Sequence, residues 1–296
     1  MLGNIFNEKW EIFALPLLNP SQNQESLFFS DQECAERGGK FNELYTSAKP
    51  FPHIVLDEFL PSAILERALQ EFPEIKKREL CRSQELYKGA CLPDELPPGA
   101  IFSRSMFYAF NSRPFLTFLE KISGIDGLIP DPYFLGGGFH ETLCGGNLGI
   151  HADFNLHKKM RLKRRMNVLV YLNKNWDSSY GGALELWTRD MKQRAKAIEP
   201  IFNRCVIFNT DNTSYHGHPD PLKCPDDRTR KSMALYYYTA SNAIFSEEKV
   251  ETTVFRKRNN STDRSDYWLR FKYVIRDCIP PIITRLILKI MGKTSV

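Results

Sequence analysis

Two side chains with the spacing of metal ligands stand near the middle of the chain, His151 and Asp153. Residues i and i+2 of a strand point to the same face, so an imidazole and a carboxylate at this spacing can reach one ion. A third donor far along the chain, in His216 or His218, would add a second imidazole. These residue types in this pattern indicate a metal site.

A set of two imidazoles and one carboxylate leaves coordination positions open, which is typical of non-haem Fe(II) sites that activate oxygen. A closed zinc site requires a fourth protein ligand and favours cysteine. The seven cysteines include no pair at zinc-finger spacing. Taken alone, the pattern also fits a surface histidine beside a solvated aspartate.

A second group of polar residues has the chemistry to bind a carboxylate. Arg230 and Ser232 are two positions apart and lead into the apolar and aromatic run 233–238, which predicts a strand. A guanidinium binds a carboxylate in bidentate fashion, and a buried arginine without an anion is expensive. Tyr171 ends another predicted strand, where its phenol could donate to the same carboxylate. A salt bridge at a sheet edge is the alternative for Arg230, but it leaves the nearby metal-ligand pattern unexplained.

The elements that must position these residues change in character near residue 125. Before it, the run 53–56 predicts a short strand, and apolar residues at helical spacing predict helices from Pro61 to Pro73 and over 113–122. After it, short β-branched and aromatic runs alternate with turn residues, which is typical of a sandwich or barrel. The clearest predicted strands are 167–172, 183–187, 205–209 and 232–239.

We therefore predict four regions: an irregular N-terminal arm over 1–50, a helical support region over 51–124, a β-rich core over 125–245 and a basic helical tail over 246–296. In the tail, apolar residues between Ile282 and Ile290 mark one face of a helix that is too short to cross a bilayer. That helix could lie on a membrane surface or pack on the body.

The composition sets the class of protein. The chain has 296 residues, a net charge of +5 and 42% hydrophobic residues, which is ample for a core and excludes a wholly disordered chain. An odd number of cysteines without a CxxC pair argues against a disulfide scaffold. The default expectation is a soluble, cytoplasmic protein.

The basic stretch 157–165 and the tail could bind nucleic acid, but we interpret them as solvated segments.

Beyond these residue-level arguments, the stretch from His140 to Thr239 resembles the catalytic core of the 2-oxoglutarate- and Fe(II)-dependent dioxygenases, in their prolyl 4-hydroxylase-like branch. The resemblance covers about a third of the chain and follows the family's order. The matching motifs are His151-Ala152-Asp153, residues 170–177, 181–184, 198–200, 203–204 and 206–208, Tyr215-His216-Gly217 and Arg230-Lys231-Ser232. The implied fold is α+β and β-rich, a double-stranded β-helix (jelly-roll) core with flanking N-terminal helices and a C-terminal helical tail.

The resemblance also implies roles for single residues. The iron ligands it implies are His151, Asp153 and His216. His218 stays an alternative to His216, which is preferred because the family's ligand usually precedes a glycine.

For the co-substrate, the resemblance implies that Arg230 grips the distal carboxylate of 2-oxoglutarate and that Tyr171 assists it. Ser232 resembles the serine of an Arg-x-Ser pair found elsewhere in the superfamily. Arg228, in the loop before the predicted strand, is a weaker competitor for Arg230.

The implied activity is hydroxylation of a C–H bond, with Fe(II), 2-oxoglutarate and O2 as cofactor and co-substrates, ascorbate as a candidate reductant, and succinate and CO2 as products. A peptidyl or free proline is the expected substrate. Another small molecule or a glycan precursor is the alternative within enzymes. A catalytically inactive jelly-roll binding module and a nucleic-acid-binding protein are the alternatives outside them, and the latter depends on the basic loop alone.

Overall fold

A computed structural model describes residues 16–74, 85–240, 252–259, 261 and 263 of the chain. Its α-helices lie mostly before the main run of strands. They are α1 (Asp31–Lys40), α2 (Asn42–Thr46), α3 (Ser62–Gln70), α4 (Ile101–Phe110) and α5 (Arg113–Ser123). Single 3-10 turns occur at Pro93–Glu95 and Ser178–Tyr180.

The strands of the described residues are mainly short. They are β1 (Ser21–Gln22), β2 (Leu27–Phe28), β3 (His53–Leu56), β4 (Glu85–Cys91), β5 (Ile129–Pro130), β6 (Gly138–Ala152), β7 (Lys163–Tyr171), β8 (Leu184–Trp187), β9 (Arg194–Ile198), β10 (Cys205–Asn209), β11 (His216–His218), β12 (Arg230–Thr239) and β13 (Val254–Phe255). β1 and β2 pair with each other, and the others form an eleven-stranded sheet.

The large sheet has the strand order β3-β10-β7-β12-β6-β11-β8-β9, with β4 and β13 also paired to β6 and β5 to β12. It curls into a nearly closed antiparallel barrel, which confirms the predicted jelly-roll core. The long strand β6 pairs with β12 through its first residues and with β11 through its last. Gly145 has a φ of 74°, a backbone conformation open chiefly to glycine, so β6 can bend between these two partners.

Strand β7 separates the inside of the barrel from the helical layer. Met166, Val168 and Val170 belong to the large apolar core that includes the buried faces of the helices. Asn167 and Leu169 alternate with them and line an internal cavity. The period-2 alternation of a strand thus gives β7 one apolar face toward the helices and one functional face toward the interior.

Helix α5 forms where its residue spacing predicts it. Pro114 lies in the first turn, where its missing N–H is not needed, and Gly124 ends the helix with a φ of 69°. Phe115, Phe118 and Leu119 are fully buried against the core. The predicted strand at 53–56 and the predicted helix after Pro61 are likewise present as β3 and α3.

The N-terminal arm is more regular than the prediction for 1–50. Helix α1 begins after Ser30, whose hydroxyl accepts a hydrogen bond from the backbone N–H of Glu33. Gly38 of this helix lies so close to α5 that a Cβ there would be 2.6 Å from the Phe118 carbonyl oxygen. The prediction of an irregular arm was wrong for α1 and α2 because α1 is stabilised by its cap and by contact with α5 rather than by a strongly apolar face.

The sheet also takes in strands from outside the predicted core at 125–245. β3 and β4 come from the predicted helical support region, and β13 comes from the predicted tail. Helix α4 and strand β4 were not predicted at all. The apolar helical face predicted between Ile282 and Ile290 lies outside the described residues. Within the described ranges, no helix combines the length and apolarity needed to cross a membrane.

Replacing Phe118 by alanine tests how far the helical layer supports the barrel. We expect Phe118→Ala to lower the free energy of unfolding by about 3–5 kcal/mol, because it leaves a cavity in the core. Phe28→Ala is the control, since Phe28 is 58% exposed and Phe118 is fully buried. Urea denaturation of both variants measures the difference, and equal losses would show that α5 does not support the core.

Candidate metal centre and co-substrate cavity

Three side chains converge on one point inside the barrel. His151 lies on β6, Asp153 follows the end of β6, and His216 lies on β11. Ligand atoms of His151, Asp153 and His216 all lie within 4.8 Å of one another. The Nε2 atom of His151 is 3.6 Å from Asp153 Oδ1, and the Nε2 atom of His216 is 3.5 Å from Asp153 Oδ2. His151 stands opposite His216 in the pairing of β6 with β11. Two nitrogen donors and a carboxylate thus form a cluster that can hold one metal ion.

The backbone fixes which nitrogen of each imidazole faces the cluster. Nδ1 of His151 is 2.9 Å from the Gly149 carbonyl oxygen, and Nδ1 of His216 is 2.9 Å from that of Ser214. A carbonyl oxygen can only accept, so each Nδ1 carries the proton and each Nε2 offers a lone pair. Burial, and then the neighbouring His151, lower the pKa of His216 to about 4. The ring is therefore neutral at physiological pH, as a ligand must be.

Asp153 is held by two buried side chains of β7. Its Oδ2 accepts a hydrogen bond of 2.8 Å from Asn167 Nδ2 and lies 3.1 Å from Arg164 Nη2. Burial raises the pKa of Asp153, but the Arg164 guanidinium and the His216 ring outweigh it and hold that pKa well below its usual value. The carboxylate is therefore ionised and fixed in orientation, which is how outer partners commonly prepare a metal ligand.

Arg164 is a functional residue that the sequence argument missed. It belongs to the basic stretch interpreted as solvated, yet it is only 3% exposed and donates to Asn167 Oδ1. The pairing of β7 with β12 skips Arg165, because Tyr237 pairs with Met166 and Tyr238 with Arg164. This bulge turns Arg164 to the same face as Asn167.

Four other basic residues of that stretch do face solvent. Lys158, Lys159, Arg161 and Lys163 are exposed, as the solvated interpretation requires. Lys158 nevertheless contributes to the lining of the internal cavity. The prediction was therefore wrong for Arg164, which the bulge turns inward, and for His157, which is fully buried. No local sequence pattern indicates the bulge.

Arg230 lies in the same cavity and is 6% exposed. Its Nε donates to the Gly182 carbonyl oxygen at 2.7 Å, and its Nη2 donates to the Tyr171 hydroxyl at 3.2 Å. Glycine is favoured at position 182, because its φ is 75° and a Cβ on it would lie 2.6 Å from Leu222 Cδ2 and 3.1 Å from the Arg230 side chain. No carboxylate of the described residues pairs with this guanidinium. A buried cation without an anion is costly, so the binding of an anion at this guanidinium would be favourable.

The remaining predicted residues take different places around Arg230. Ser232 lines the cavity, two positions along β12 from Arg230. Tyr171 is fully buried and contacts Arg230 without lining the cavity itself. Arg228 donates to the Lys174 carbonyl oxygen instead and does not line the cavity.

The cavity has a volume of about 350 Å³ and joins the metal cluster to Arg230. His218 lines it but does not belong to the cluster. This arrangement favours His216 over His218 as the third donor. The cavity, with the donor cluster at one end and the Arg230 guanidinium at the other, fits a small dicarboxylate that reaches from a metal ion to the guanidinium.

Comparison with known proteins agrees with this chemistry. Residues 137–238 match the family described as the 2OG-Fe(II) oxygenase superfamily. Prolyl 3-hydroxylase OGFOD1 of Mus musculus is 27% identical over 203 residues, which cover 65% of this chain and 33% of that relative. Prolyl hydroxylase EGLN3 of Mus musculus is 31% identical over 87 residues, which cover 29% of this chain and 34% of that relative. The chain spans about a third of the length of these curated relatives.

A solved structure shows the same fold. It is a prolyl hydroxylase in complex with a hypoxia inducible factor oxygen degradation domain peptide fragment, from Trichoplax adhaerens. The match has a TM-score of 0.50 and 18% identity, and it covers 70% of this chain and 91% of that one. The barrel, the donor cluster and the match over residues 137–238 agree, so this part of the chain is similar in fold and in site chemistry to the 2OG-Fe(II) oxygenase superfamily.

Proposed function

We propose that this chain is a dioxygenase that uses Fe(II), 2-oxoglutarate and O2 to hydroxylate a prolyl residue of a polypeptide. The observation that carries the proposal is the shared cavity, in which His151, Asp153 and His216 face one another and Arg230 lies without a carboxylate partner among the described residues. The donor set suits a ferrous ion with open positions, and the guanidinium suits the free end of a dicarboxylate.

In this proposal each residue has a defined task. The iron is held by His151, Asp153 and His216. Arg230 binds the distal carboxylate of 2-oxoglutarate. Together, iron, 2-oxoglutarate and O2 supply the oxidant for the C–H bond, with succinate and CO2 as products.

The side chains around these groups orient and shield them. The Tyr171 hydroxyl accepts a hydrogen bond from Arg230 and so fixes the guanidinium plane. Leu148, Leu169 and Leu184 line the cavity and make part of its wall apolar. An apolar wall strengthens the charge–charge contact at Arg230 and protects a reactive centre from side reactions.

The prolyl substrate is supported by the relatives, whose names describe prolyl hydroxylases. The solved relative from Trichoplax adhaerens holds a peptide, which favours a peptidyl over a free proline. Hydroxylation of another small molecule or of a glycan precursor is the second candidate. An inactive binding module is disfavoured because this chain has both the donor cluster and the buried Arg230. Burying such polar groups is costly unless a ligand binds to them.

Turnover assays with and without His151 test the activity. We expect the iron-loaded protein to convert 2-oxoglutarate to succinate and to add one oxygen atom to proline-containing peptides, as measured by mass spectrometry. His151→Ala removes one of the donors, so Fe(II) binding and succinate formation should fall to background. His53→Ala is the control, since His53 is also buried but lies on β3, outside the cavity. Undiminished succinate formation by His151→Ala would contradict the metal assignment.

Arg230→Met tests the co-substrate contact. We expect the KM for 2-oxoglutarate to rise roughly 10- to 100-fold, because a charge-assisted hydrogen bond is lost. Arg228→Met should leave this KM unchanged, since Arg228 bonds to a backbone carbonyl away from the cavity. An unchanged KM in Arg230→Met, or a raised KM in Arg228→Met, would move the contact elsewhere.

Arg164→Met tests the support of the metal ligand. Without the guanidinium, Asp153 keeps only its bond from Asn167, so we expect the affinity for Zn(II) or Mn(II) to fall about 10- to 100-fold. Arg165→Met is a matched control from the next position, where the side chain is half-buried and contacts Thr239. Calorimetric titration with the metal measures both variants. Equal metal affinities in Arg164→Met and Arg165→Met would show that Asp153 binds the metal without support from Arg164.

A further inference from the structure

His218 is a buried histidine whose two ring nitrogens have no hydrogen-bond partner within the described part of the chain. The residue is only 3% exposed. Nearly all buried polar groups in native proteins are paired, and an unpaired one carries a penalty. A ligand that enters the site and bonds to this ring would remove the penalty.

The backbone holds the His218 ring inside the cavity that Arg230 and Ser232 also line. His216 and His218 are two positions apart on β11 and therefore share one face. Between them, Gly217 lies against β6 so closely that a Cβ would be 2.6 Å from the Gly149 carbonyl oxygen. β11 and β6 therefore lie too close together at this point for a side chain at position 217.

His218 lies outside the cluster of metal ligands, which contains His216. A register shift in the pairing of β11 with β6 sets His216 opposite His151 but His218 opposite Leu148, three residues before His151. His218 and Arg230 line one cavity, and after burial the Arg230 charge is the largest cause that lowers the pKa of His218.

We propose that His218 donates a ring N–H to the distal carboxylate of 2-oxoglutarate, beside Arg230. The proposal rests on the proposed function, because it needs 2-oxoglutarate in the cavity. A neutral imidazole carries one N–H donor in either tautomer, and a carboxylate accepts several hydrogen bonds. Arg230 already donates its Nε hydrogen to Gly182 and one Nη2 hydrogen to Tyr171, so it has fewer donors left for the carboxylate, and a second donor can use the remaining acceptor sites.

Two inhibitors separate the distal carboxylate from the metal. N-oxalylglycine carries both the chelating end and the distal carboxylate of 2-oxoglutarate, whereas oxalate carries the chelating end alone. Both are titrated calorimetrically into the full chain loaded with Zn(II). We expect His218→Leu to weaken N-oxalylglycine binding roughly 10- to 100-fold, the effect of one hydrogen bond to a charged group, and to leave oxalate binding unchanged.

Two further variants complete the comparison. His218→Asn keeps an N–H donor on a shorter side chain and should recover part of the lost affinity for N-oxalylglycine. His53→Leu removes an equally buried histidine, also 3% exposed, that lies outside the cavity, and it should bind both inhibitors like the wild type.

An NMR measurement on the wild type alone gives a second test, which does not depend on the folding of the variants. The ring N–H proton of His218 should move downfield in the NMR spectrum with N-oxalylglycine and not with oxalate.

Each contrary result has a separate meaning. An unchanged N-oxalylglycine affinity in His218→Leu, an equal loss for oxalate, or an unmoved ring proton in the wild type overturns the role of His218 and leaves the proposed function standing. Loss of Zn(II) binding in a folded His218→Leu protein would make His218 a metal ligand and would also overturn it. Failure of the wild type to bind N-oxalylglycine overturns the role of His218 together with the proposed function.

Discussion

The pairing of β6 with β11 is the constraint on which the site depends, because it sets His151 opposite His216. Side chains directly opposite each other in an antiparallel pair have Cβ atoms about 4.5–5.5 Å apart, close enough for two imidazoles to share an ion. A shift of one residue in this register would turn one ring to the other face of the sheet. Asp153 follows directly after β6, so its carboxylate can turn toward both rings while Arg164 holds it from behind.

The barrel encloses two buried arginines whose different surroundings divide the site into two ends. Arg164 is paired with the carboxylate of Asp153, so its charge is balanced within the chain. Arg230 has only the Tyr171 hydroxyl and a backbone carbonyl as hydrogen-bond acceptors among the described residues. An unbalanced buried cation is costly, and an arriving dianion would offset that cost. In the proposed function, the first arginine prepares the metal ligand, and the second selects for the charge of the co-substrate.

Local sequence patterns were sufficient for the parts of the site that depend on strand alternation. The pair His151 and Asp153, and the pair Arg230 and Ser232, could be identified because residues two apart on a strand share a face. The choice between His216 and His218 could not be made this way, since both share one face of β11. It depends on the register with β6, which is a contact distant in sequence. Arg164 was missed for a related reason, because a bulge reverses its orientation.

A crystal structure of the full chain with Mn(II) and N-oxalylglycine tests the central claim most directly. We expect the metal bonded to Nε2 of His151, the Asp153 carboxylate and Nε2 of His216, and the far carboxylate of the inhibitor on Arg230. A metal bound by His218 instead of His216, or a carboxylate placed away from the Arg230 guanidinium, would contradict the account.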